Sequence, residues 1–388
     1  MKKKVLRIIN RFNLGGPTYN AAYLTKYLED EYETLLVGGI HDDSEESSMH
    51  ILNDLGLDPI VIPEMKRSIN LKNDRIAFQK IQKLIQEFKP DIVHTHASKA
   101  GAIGRSAAHK VGVKQIYHTF HGHIFHSYFG TLKTNIYKSI ERNLAKKSTK
   151  IIAISDIQKH ELSDIHKICP KEKIEVIPLG FDLRKFYTNK EQKRIKFRTQ
   201  WNLSDDEIAI GIIGRLVPVK NHKFFIDVIN KILKLTDKKL RFFIIGDGEE
   251  KENIITYVKS KNIDFSNSEK KATIQFTSWI KEIDIANAGM DIICLCSKNE
   301  GSPVSLIEAQ ASSKPIVSTK TGGIENIVIE NKTALLSELN DLDSFKINLL
   351  KLIESEELRT QLIINSKNKS DEFTYKTLTN NIKKLYKQ

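Results

Sequence analysis

The segment 297–311, SKNEGSPVSLIEAQA, carries two carboxylates that flank the start of a predicted helix. Glu300 falls in a loop after an apolar run, while Pro303 suits the first turn of the helix that carries Glu308. Carboxylates accept hydrogen bonds from sugar hydroxyls, and free backbone N–H groups at a helix start attract phosphate. The residues that offer such N–H groups are Gly301, Ser302, Val304 and Ser305. An exposed loop followed by one surface glutamate explains the spacing equally well.

Two cations follow a different apolar run, in the sequence GIIGRLVPVKNH. Arg215 and Lys220 come just after the glycine that ends this predicted strand. Cations at the carboxyl end of a buried strand are well placed to neutralise a diphosphate, although both could be ordinary surface residues. The sequence Gly-Asp-Gly at 246–248 ends the next strand and predicts a tight turn near the same edge of the sheet.

The loop at 13–17, NLGGP, follows the first predicted strand and opens a helix. A glycine at position 16 would let the backbone approach a phosphate, which makes Gly16 a candidate binding residue. The spaced glycines of a dinucleotide-binding fingerprint are missing, however. Two glycines in an ordinary turn explain the loop at least as well.

Four histidines crowd the end of another predicted strand, in the sequence HTFHGHIFH: His118, His121, His123 and His126. Their spacings of three, two and three residues lie in a glycine-containing loop without a nearby cysteine, which disfavours a metal site. We therefore expect no metal there. A single histidine that faces a bound ligand is the better interpretation, as a hydrogen-bond donor or a stabiliser of charge.

Short apolar runs alternate with longer amphipathic segments, which predicts parallel sheets covered by helices. The predicted strands of the first half are 5–9, 33–38, 91–94, 114–118 and 150–154, with a helix at 74–88. Those of the second half are 208–214, 240–246, 273–276, 291–296 and 315–318. Ligands of such sheets bind outside the carboxyl ends of the strands, here in a cleft between two domains.

A polar and weakly periodic stretch at 180–200 separates the two sets of strands. We predict an N-terminal domain at 1–182 and a C-terminal domain at 188–370. A predicted helix within 371–388 completes the chain, and it could pack back on the N-terminal domain.

Charge and cysteine content restrict the partners and the compartment. The chain has 61 Lys and Arg against 48 Asp and Glu, which favours an anionic partner such as a phosphorylated ligand, an acidic membrane surface or nucleic acid. Three cysteines form an odd and sparse set, which argues against a disulfide framework and fits a reducing compartment. No stretch approaches the roughly 18 apolar residues of a membrane-spanning helix. We expect a cytoplasmic protein.

The segment 130–150 carries six cations against one acidic residue, Glu141, together with several apolar side chains. This composition suits a helix that lies on an anionic membrane, here the inner face of the cell membrane. A solvated amphipathic surface helix explains the composition nearly as well.

The motifs resemble, in order and spacing, those of the retaining glycosyltransferase family 4, which has the GT-B fold. The resemblance rests on GRLVPVKNH, GDGEE and SKNEGSPVSLIEAQASSKPIVSTKTGGIENIV in the C-terminal half. The GGP loop, PDIVHTHASKAG, HTFHGHIF and IPLGFD fit as well, so the resemblance covers nearly the whole chain. It implies two Rossmann-like domains whose parallel sheets face a central cleft.

The resemblance also implies an activity. A hexose or N-acetylhexosamine would move, with retention of configuration, from a nucleotide diphosphate sugar to a hydroxyl acceptor. A UDP-sugar is the donor expected from its frequency in the family. A lipid-linked saccharide in bacterial surface-polysaccharide assembly is the expected acceptor. Fixed cations would take the place of a metal, so we expect no metal and no other cofactor.

Roles for individual residues follow from the same resemblance. Arg215 and Lys220 would hold the donor diphosphate, and Glu308 would bind the ribose hydroxyls. Glu300 would lie beside the sugar ring, and His121 would be the histidine near the donor sugar.

Backbone groups complete the implied site. The stretch 301–305 would contact sugar hydroxyls and phosphate, and Gly16 would lie against the phosphates from the other domain.

Three alternative functions remain open at this point. A GT-B sugar-nucleotide epimerase is the nearest one, and an assay of the donor without acceptor would distinguish it from a transferase. A basic nucleic-acid-binding protein would need a binding module or an aromatic stacking platform, and the sequence indicates neither. An NAD oxidoreductase is disfavoured because the glycine fingerprint is missing.

Overall fold

The computed structural model describes residues 2–13, 15–42, 47–66, 68–122 and 131–388, with residues 131 and 132 described by their backbone alone. The chain forms two compact units. The N-terminal unit comprises Met1–Phe181 and Glu372–Gln388, and the C-terminal unit comprises Asp182–Asp371. Each unit is built on a seven-stranded parallel sheet.

The sheet of the N-terminal unit has the strand order β3-β2-β1-β4-β5-β6-β7. Its strands are β1 Lys3–Arg11, β2 Tyr32–Gly39, β3 Ile60–Val61, β4 Ile92–His96, β5 Gln115–Phe120, β6 Lys150–Ala153 and β7 Ile174–Val176. The helices between them are α1 Gly16–Lys26, α2 Met49–Asp54, α3 Leu71–Phe88, α4 Ser98–Val111, α5 Thr131–Lys147 and α6 Asp156–His160. A turn of π-helix at Glu161–Ile165 and a 3-10 turn at Lys171–Lys173 follow.

The sheet of the C-terminal unit has the order β10-β11-β9-β8-β12-β13-β14. Its strands are β8 Glu207–Ile213, β9 Lys239–Ile245, β10 Phe265–Ser266, β11 Ile274–Ser278, β12 Ile292–Leu295, β13 Ile316–Thr319 and β14 Ala334–Ser337. Its helices are α7 Arg184–Tyr187, α8 Lys190–Gln200, α9 His222–Ile232, α10 Lys251–Ser260, α11 Ile283–Gly289, α12 Val304–Ala311, α13 Ile324–Ile327, α14 Leu342–Glu354, α15 Glu356–Ile364 and α16 Ser366–Asp371.

The last helix, α17 Tyr375–Tyr386, belongs to the N-terminal unit. Its apolar side packs Leu378 and Ile382 into the same core cluster as Val5 of β1 and Ile92 of β4. Helix α16, which precedes it, lies in the C-terminal unit. The chain therefore passes from one unit to the other between Asp371 and Glu372.

The ten strands predicted from apolar runs are confirmed, with ends displaced by at most two residues. Central strands are covered on both faces, so they appear in the sequence as continuous apolar runs. The strands that the pattern missed are β3, β7, β10 and β14. β3 and β10 have only two residues each, which is too short to produce any periodicity.

Two helix starts differ from the prediction. α3 begins at Leu71 instead of residue 74, because the side chain of Asn70 caps it and accepts a hydrogen bond from Asn73 N. α12 begins at Val304, so that Pro303 is its N-cap residue and lies just before the first turn.

The segment 130–150 forms α5 up to Lys147, and residue 130 lies outside the described residues. Two of its six cations have partners within the N-terminal unit. Arg142 donates hydrogen bonds to the carbonyls of His166 and Lys167, and Lys150 pairs with Glu175 at 2.9 Å. No helix in the described part of the chain combines the length and apolar character that crossing a bilayer requires.

Candidate active site

Loops at the carboxyl ends of neighbouring strands in the C-terminal unit are joined by backbone hydrogen bonds. Leu216 N, after β8, donates to Asp247 O, after β9, at 2.9 Å. Lys298 N, after β12, donates to Val219 O at 2.8 Å. These bonds place the cation loop of β8 between the loops of β9 and β12, at the edge where parallel α/β sheets bind ligands.

Two glycines allow these loops to approach so closely. Gly246 has a φ of 144°, and a Cβ there would lie 2.0 Å from the carbonyl oxygen of Gly214. Gly322 has a φ of 54°, and its Cβ would lie 2.1 Å from the carbonyl oxygen of Glu300. Only glycine fits either position, so the glycines at 246 and 322 are requirements of the loop packing.

Lys220 and Glu300 form the central contact of the site. Lys220 Nζ lies 2.5 Å from Glu300 Oε1, and Ser297 Oγ donates to the same oxygen at 2.5 Å. Both side chains of the ion pair are mostly buried. Within the described part of the chain, no group donates a hydrogen bond to Glu300 Oε2. That oxygen is therefore available to accept a hydrogen bond from a ligand.

The loop that carries Glu300 is held from the side of β13. Thr319 Oγ1 donates to the carbonyl of Ser297 at 2.8 Å, and Thr321 Oγ1 donates to the carbonyl of Lys298 at 2.8 Å. Gly323 N donates to the carbonyl of Glu300 at 2.8 Å. Sequence reasoning missed Thr319 and Thr321 because their partners lie 22 and 23 residues away. Ser297 was quoted only as the first residue of the segment 297–311, without a role.

Arg215 is exposed, and its guanidinium pairs with none of the residues that the structure describes. Its N–H donors are therefore free for an anion. Because Arg215 and Lys220 lie in the same loop after β8, the two cations flank one short stretch of backbone.

The helix start after Glu300 is open to ligand. Gly301 is exposed, and a Cβ there would meet nothing within 4 Å. Leu306 N bonds to Pro303 O, so the amides of Val304 and Ser305 precede the first intrahelical hydrogen bond. Ser302 is half-buried beside them. The chain thus brings the predicted backbone donors next to Glu300.

Glu308 lies further along α12, about 6 Å beyond Val304 at 1.5 Å per residue. Burial raises the pKa of this carboxyl to about 7, Lys185 opposes the rise, and Asp284 adds to it. Those residues belong to α7 and α11, so the surroundings of Glu308 differ from those of Glu300. Glu300 lies in the loop before α12 and Glu308 lies on α12, and their side chains do not contact each other.

In the N-terminal unit, Gly16 is the first residue of α1. The hydroxyl of Thr18 donates to the carbonyl of Asn13 at 2.7 Å and closes the turn before the helix. Leu14, in the same predicted loop, lies outside the described residues.

His121 follows β5, and its Nε2 lies 3.1 Å from Nδ1 of His96 at the end of β4. Burial lowers the pKa of His121 to about 3, so the imidazole is neutral at physiological pH. Sequence reasoning used His96 only within the motif PDIVHTHASKAG. Polar residues at the end of an otherwise apolar strand were the signal that could have identified it.

Of the other three predicted histidines, the structure describes His118. His118 is buried, and its Nδ1 lies 2.8 Å from Thr95 Oγ1. His123 and His126 lie outside the described residues. Among the residues that are described, no group of three or more His, Cys, Asp or Glu side chains is arranged to hold a metal.

Solved structures with the same fold define the class. HepE from Anabaena, solved with UDP, matches with a TM-score of 0.82 at 18% identity, and all of both chains is covered. A glycosyltransferase from Rickettsia africae ESF-5 matches with a TM-score of 0.80 at 20% identity, covering 100% of this chain and 98% of the other. The fold is therefore GT-B, as the resemblance implied.

Family models match most of the sequence. "Glycosyltransferase Family 4" matches residues 14–185, and "Glycosyl transferases group 1" matches residues 193–369. Over 318 residues the chain is 31% identical to the UDP-Gal:alpha-D-GlcNAc-diphosphoundecaprenol alpha-1,3-galactosyltransferase of Escherichia coli, covering 79% of this chain and 78% of that one. An uncharacterized glycosyltransferase of Methanocaldococcus jannaschii is 25% identical over 97% of this chain and 95% of its own. The chain belongs to glycosyltransferase family 4 and is a glycosyltransferase.

Proposed function

We propose that this chain transfers a hexose or N-acetylhexosamine from a UDP-sugar to a lipid-linked saccharide in surface-polysaccharide assembly. The observation that carries the proposal is the Lys220–Glu300 pair. It shares the loop after β8 with Arg215, which pairs with no described residue, and it precedes the open start of α12. The relative from Escherichia coli uses, by its name, UDP-Gal and a diphosphoundecaprenol-linked acceptor. HepE, which shares the fold, was solved with UDP.

Charge development on the leaving group explains the cations. When the bond between the anomeric carbon and the diphosphate breaks, negative charge grows on the diphosphate and the sugar becomes oxocarbenium-like. Arg215, Lys220 and the free amides at the start of α12 are positioned to stabilise that charge. Fixed cations thereby take the role that a divalent metal has in other transferases, and the reaction proceeds without one.

Retention follows from attack on the face that the diphosphate leaves. The acceptor oxygen forms the new bond to the anomeric carbon, and its proton passes to the departing diphosphate. No protein carboxylate acts as a covalent nucleophile in this scheme. Glu300 accepts hydrogen bonds from sugar hydroxyls through Oε2, and Glu308 accepts them from the ribose.

The N-terminal unit supplies two further groups in this proposal. The backbone at Gly16 contacts the donor phosphates, and the neutral imidazole of His121 donates a hydrogen bond to the donor sugar. A neutral histidine fits that task, because it donates from one ring nitrogen without adding a charge near the oxocarbenium.

A panel of nucleotide sugars tests the proposal. Binding and slow hydrolysis of UDP-, dTDP-, GDP- and ADP-sugars are measured first, and the best donor is then offered to undecaprenyl diphosphate saccharides. NMR of the product gives the anomeric configuration. We expect a UDP-sugar to bind and to give a retained linkage. An inverted product, or a donor that is epimerised without acceptor, would contradict the assignment.

We also propose that α5 contacts the inner face of the cell membrane. Lys133, Ile136, Ile140 and Lys147 follow one another at intervals of three, four and seven residues, which places them on one side of the helix. Ile136 is 52% exposed and Ile140 is 44% exposed. Exposed apolar residues between cations suit an anionic bilayer surface, and this position would keep the enzyme near a lipid-linked acceptor.

A further inference from the structure

A pocket within the N-terminal unit combines four cations with an apolar floor. It lies between the second half of α5 and the segment 163–173 that leads into β7, and its volume is about 570 Å³. Cavities of this size hold small-molecule ligands in other proteins. The cations that line it are Arg142, Lys146, Lys167 and Lys173, and its described lining contains no acidic residue.

The two walls of the pocket are fixed to each other and to the core. Arg142 on α5 donates hydrogen bonds to the backbone carbonyls of Lys167 and His166, both at 2.9 Å. Ala145 and Ile168, one from each wall, belong to the same cluster of buried apolar residues. The pocket is therefore formed before any ligand arrives, which lowers the entropic cost of binding.

The charges of the pocket are not neutralised by protein carboxylates. Its three lysines form no ion pair with any described residue, and Arg142 spends its hydrogen bonds on uncharged carbonyls. Glu141, the one acidic residue of α5, is buried and paired with Arg105 at 2.6 Å. Cations that lack a counter-charge around an apolar floor attract an anion, and phosphate oxygens are the usual acceptors of such groups.

The pocket lies at the edge of the sheet opposite the loops of the proposed donor site. Lys147 ends α5 just before β6, and Lys173 directly precedes β7, so the pocket is at the amino ends of these strands. Gly16 and His121 follow the carboxyl ends of β1 and β5. Because all the strands are parallel, the two groups of residues lie at opposite edges.

We propose that this pocket is a second anion site, in which Lys146, Lys167 and Lys173 bind a phosphate group and the apolar floor contacts the body that carries it. The phosphate belongs to a soluble phosphoester or to the headgroup of a membrane lipid. The site is independent of the proposed transfer reaction. It is also separate from the membrane contact proposed for α5, because Ile140 and Arg142 are two residues apart and point to different sides of the helix.

Cys169 lines the pocket and reports whether it is occupied. The other two cysteines of the chain, Cys294 and Cys296, are buried in the C-terminal unit. Iodoacetamide, which is uncharged, therefore alkylates Cys169 first, and mass spectrometry of the peptide gives the rate. The reaction is run near pH 9, because the thiolate is the nucleophile and burial raises the pKa of Cys169 to about 11.

Inorganic pyrophosphate is the soluble probe, and vesicles of phosphatidylglycerol and phosphatidylcholine are the lipid probe. Sodium chloride keeps the ionic strength equal in all samples, so that screening does not differ between them. We expect alkylation of Cys169 to slow at least about threefold at a probe concentration of twice its Kd. Protection by pyrophosphate assigns the site to a soluble phosphoester, and protection by the anionic vesicles alone assigns it to a lipid headgroup. Unchanged alkylation with both probes overturns the proposal.

A charge variant of the pocket tests which residues hold the anion. Replacing Lys146 and Lys167 together by Gln removes two charges and keeps the side chains long. We expect the protecting probe to bind about tenfold more weakly, as measured by the ratio of alkylation rates with and without it in the same variant. Replacing Lys72 and Lys114 by Gln is the matched control, because both are exposed cations of the same unit. Equal protection in the two double variants overturns the proposal.

Discussion

Lys220 Nζ lies 2.5 Å from Glu300 Oε1, although the two residues are 80 positions apart in the chain. The pair joins the residue proposed to bind the diphosphate to the residue proposed to bind the sugar. A bound diphosphate must compete with Glu300 for Lys220. Donor binding therefore changes the partners of both residues together, and variants of either one report on the other.

Removal of Arg215 is expected to weaken UDP binding more than removal of Lys220. Arg215 has no partner to lose among the described residues, whereas Lys220 must first leave Glu300. Arg215→Ala should cost roughly 1.5–3 kcal/mol, the range for hydrogen bonds to charged groups. Isothermal titration calorimetry with UDP measures the difference. Lys332→Ala is the matched control, because it removes an exposed cation of the same unit. Wild-type affinity in both site variants would remove the diphosphate assignment.

Glu300→Gln is expected to abolish transfer while UDP binds as well as before, or more tightly. The change removes the charge that holds Lys220 in the free protein but keeps the shape of the side chain. UDP carries no transferable hexosyl group, so it does not use Glu300 Oε2. Ser297→Ala, which removes the second donor to Glu300 Oε1, is the control for loop packing. The division of roles fails if variants of Glu300 and Glu308 lose UDP binding to the same extent.

UDP affinity is expected to depend on pH through Glu308, whose pKa is raised to about 7 by burial. The carboxylate accepts hydrogen bonds from both ribose hydroxyls, and the protonated acid accepts fewer. Affinity should therefore rise more steeply from pH 6 to pH 8 in the wild type than in Glu308→Gln, in which the terminal phosphate of UDP still titrates but residue 308 does not. Calorimetry at three pH values measures it, and parallel pH profiles for the two proteins would show that Glu308 is not the titrating group.

The titration of Glu308 also affects the stability of the protein. Stability should fall as pH rises, whereas UDP affinity should rise. The folded state holds a proton between about pH 4.5 and 7 that the unfolded state has released, so the free energy of unfolding falls as pH rises through this window. Above pH 7 the cost of the buried carboxylate is fully present. Glu308→Gln removes it and should stabilise the protein at pH 8 by on the order of 2 kcal/mol. Urea unfolding at pH 5 and pH 8 checks this, since a variant with no gain at pH 8 contradicts the raised pKa.

Transfer is expected to continue in EDTA. Arg215 and Lys220 are covalently fixed cations, and they neutralise the leaving diphosphate without an exchangeable ion. Metal independence is tested by initial rates of transfer with and without EDTA, followed by addition of magnesium or manganese. Complete loss of activity in EDTA that either metal restores would refute metal independence.

Binding to anionic vesicles is expected to depend on the exposed side of α5. Replacing Lys133 and Lys147 by Glu should abolish co-sedimentation at low salt, since each cation contributes about 1 kcal/mol near an anionic surface. Wild-type binding should also weaken at 1 M salt, where the Debye length is about 3 Å. Replacing Lys332 and Lys351 by Glu makes the same charge change in the C-terminal unit. Equal binding of both double variants would exclude α5 as the membrane contact.

Local sequence signals were sufficient for much of the fold and for the position of the site along the chain. Apolar runs identified the long strands because burial on both faces requires continuous apolar residues. Glycine and proline after those runs marked the loops that carry Arg215, Lys220 and Glu300. A two-residue strand such as β3 carries no such signal, because its partner strand defines it.

The contacts between these loops were decided by the tertiary structure alone. Nothing near Lys220 in the chain indicates that Glu300 pairs with it, and nothing near His121 indicates His96, since each pair is brought together by the order of strands in a sheet. The raised pKa of Glu308 is equally invisible in the sequence, because desolvation depends on what packs around the carboxyl and not on its neighbours in the chain. The sequence determined which residues lie at the strand ends. The folded sheet determined which of them touch and which protons they hold.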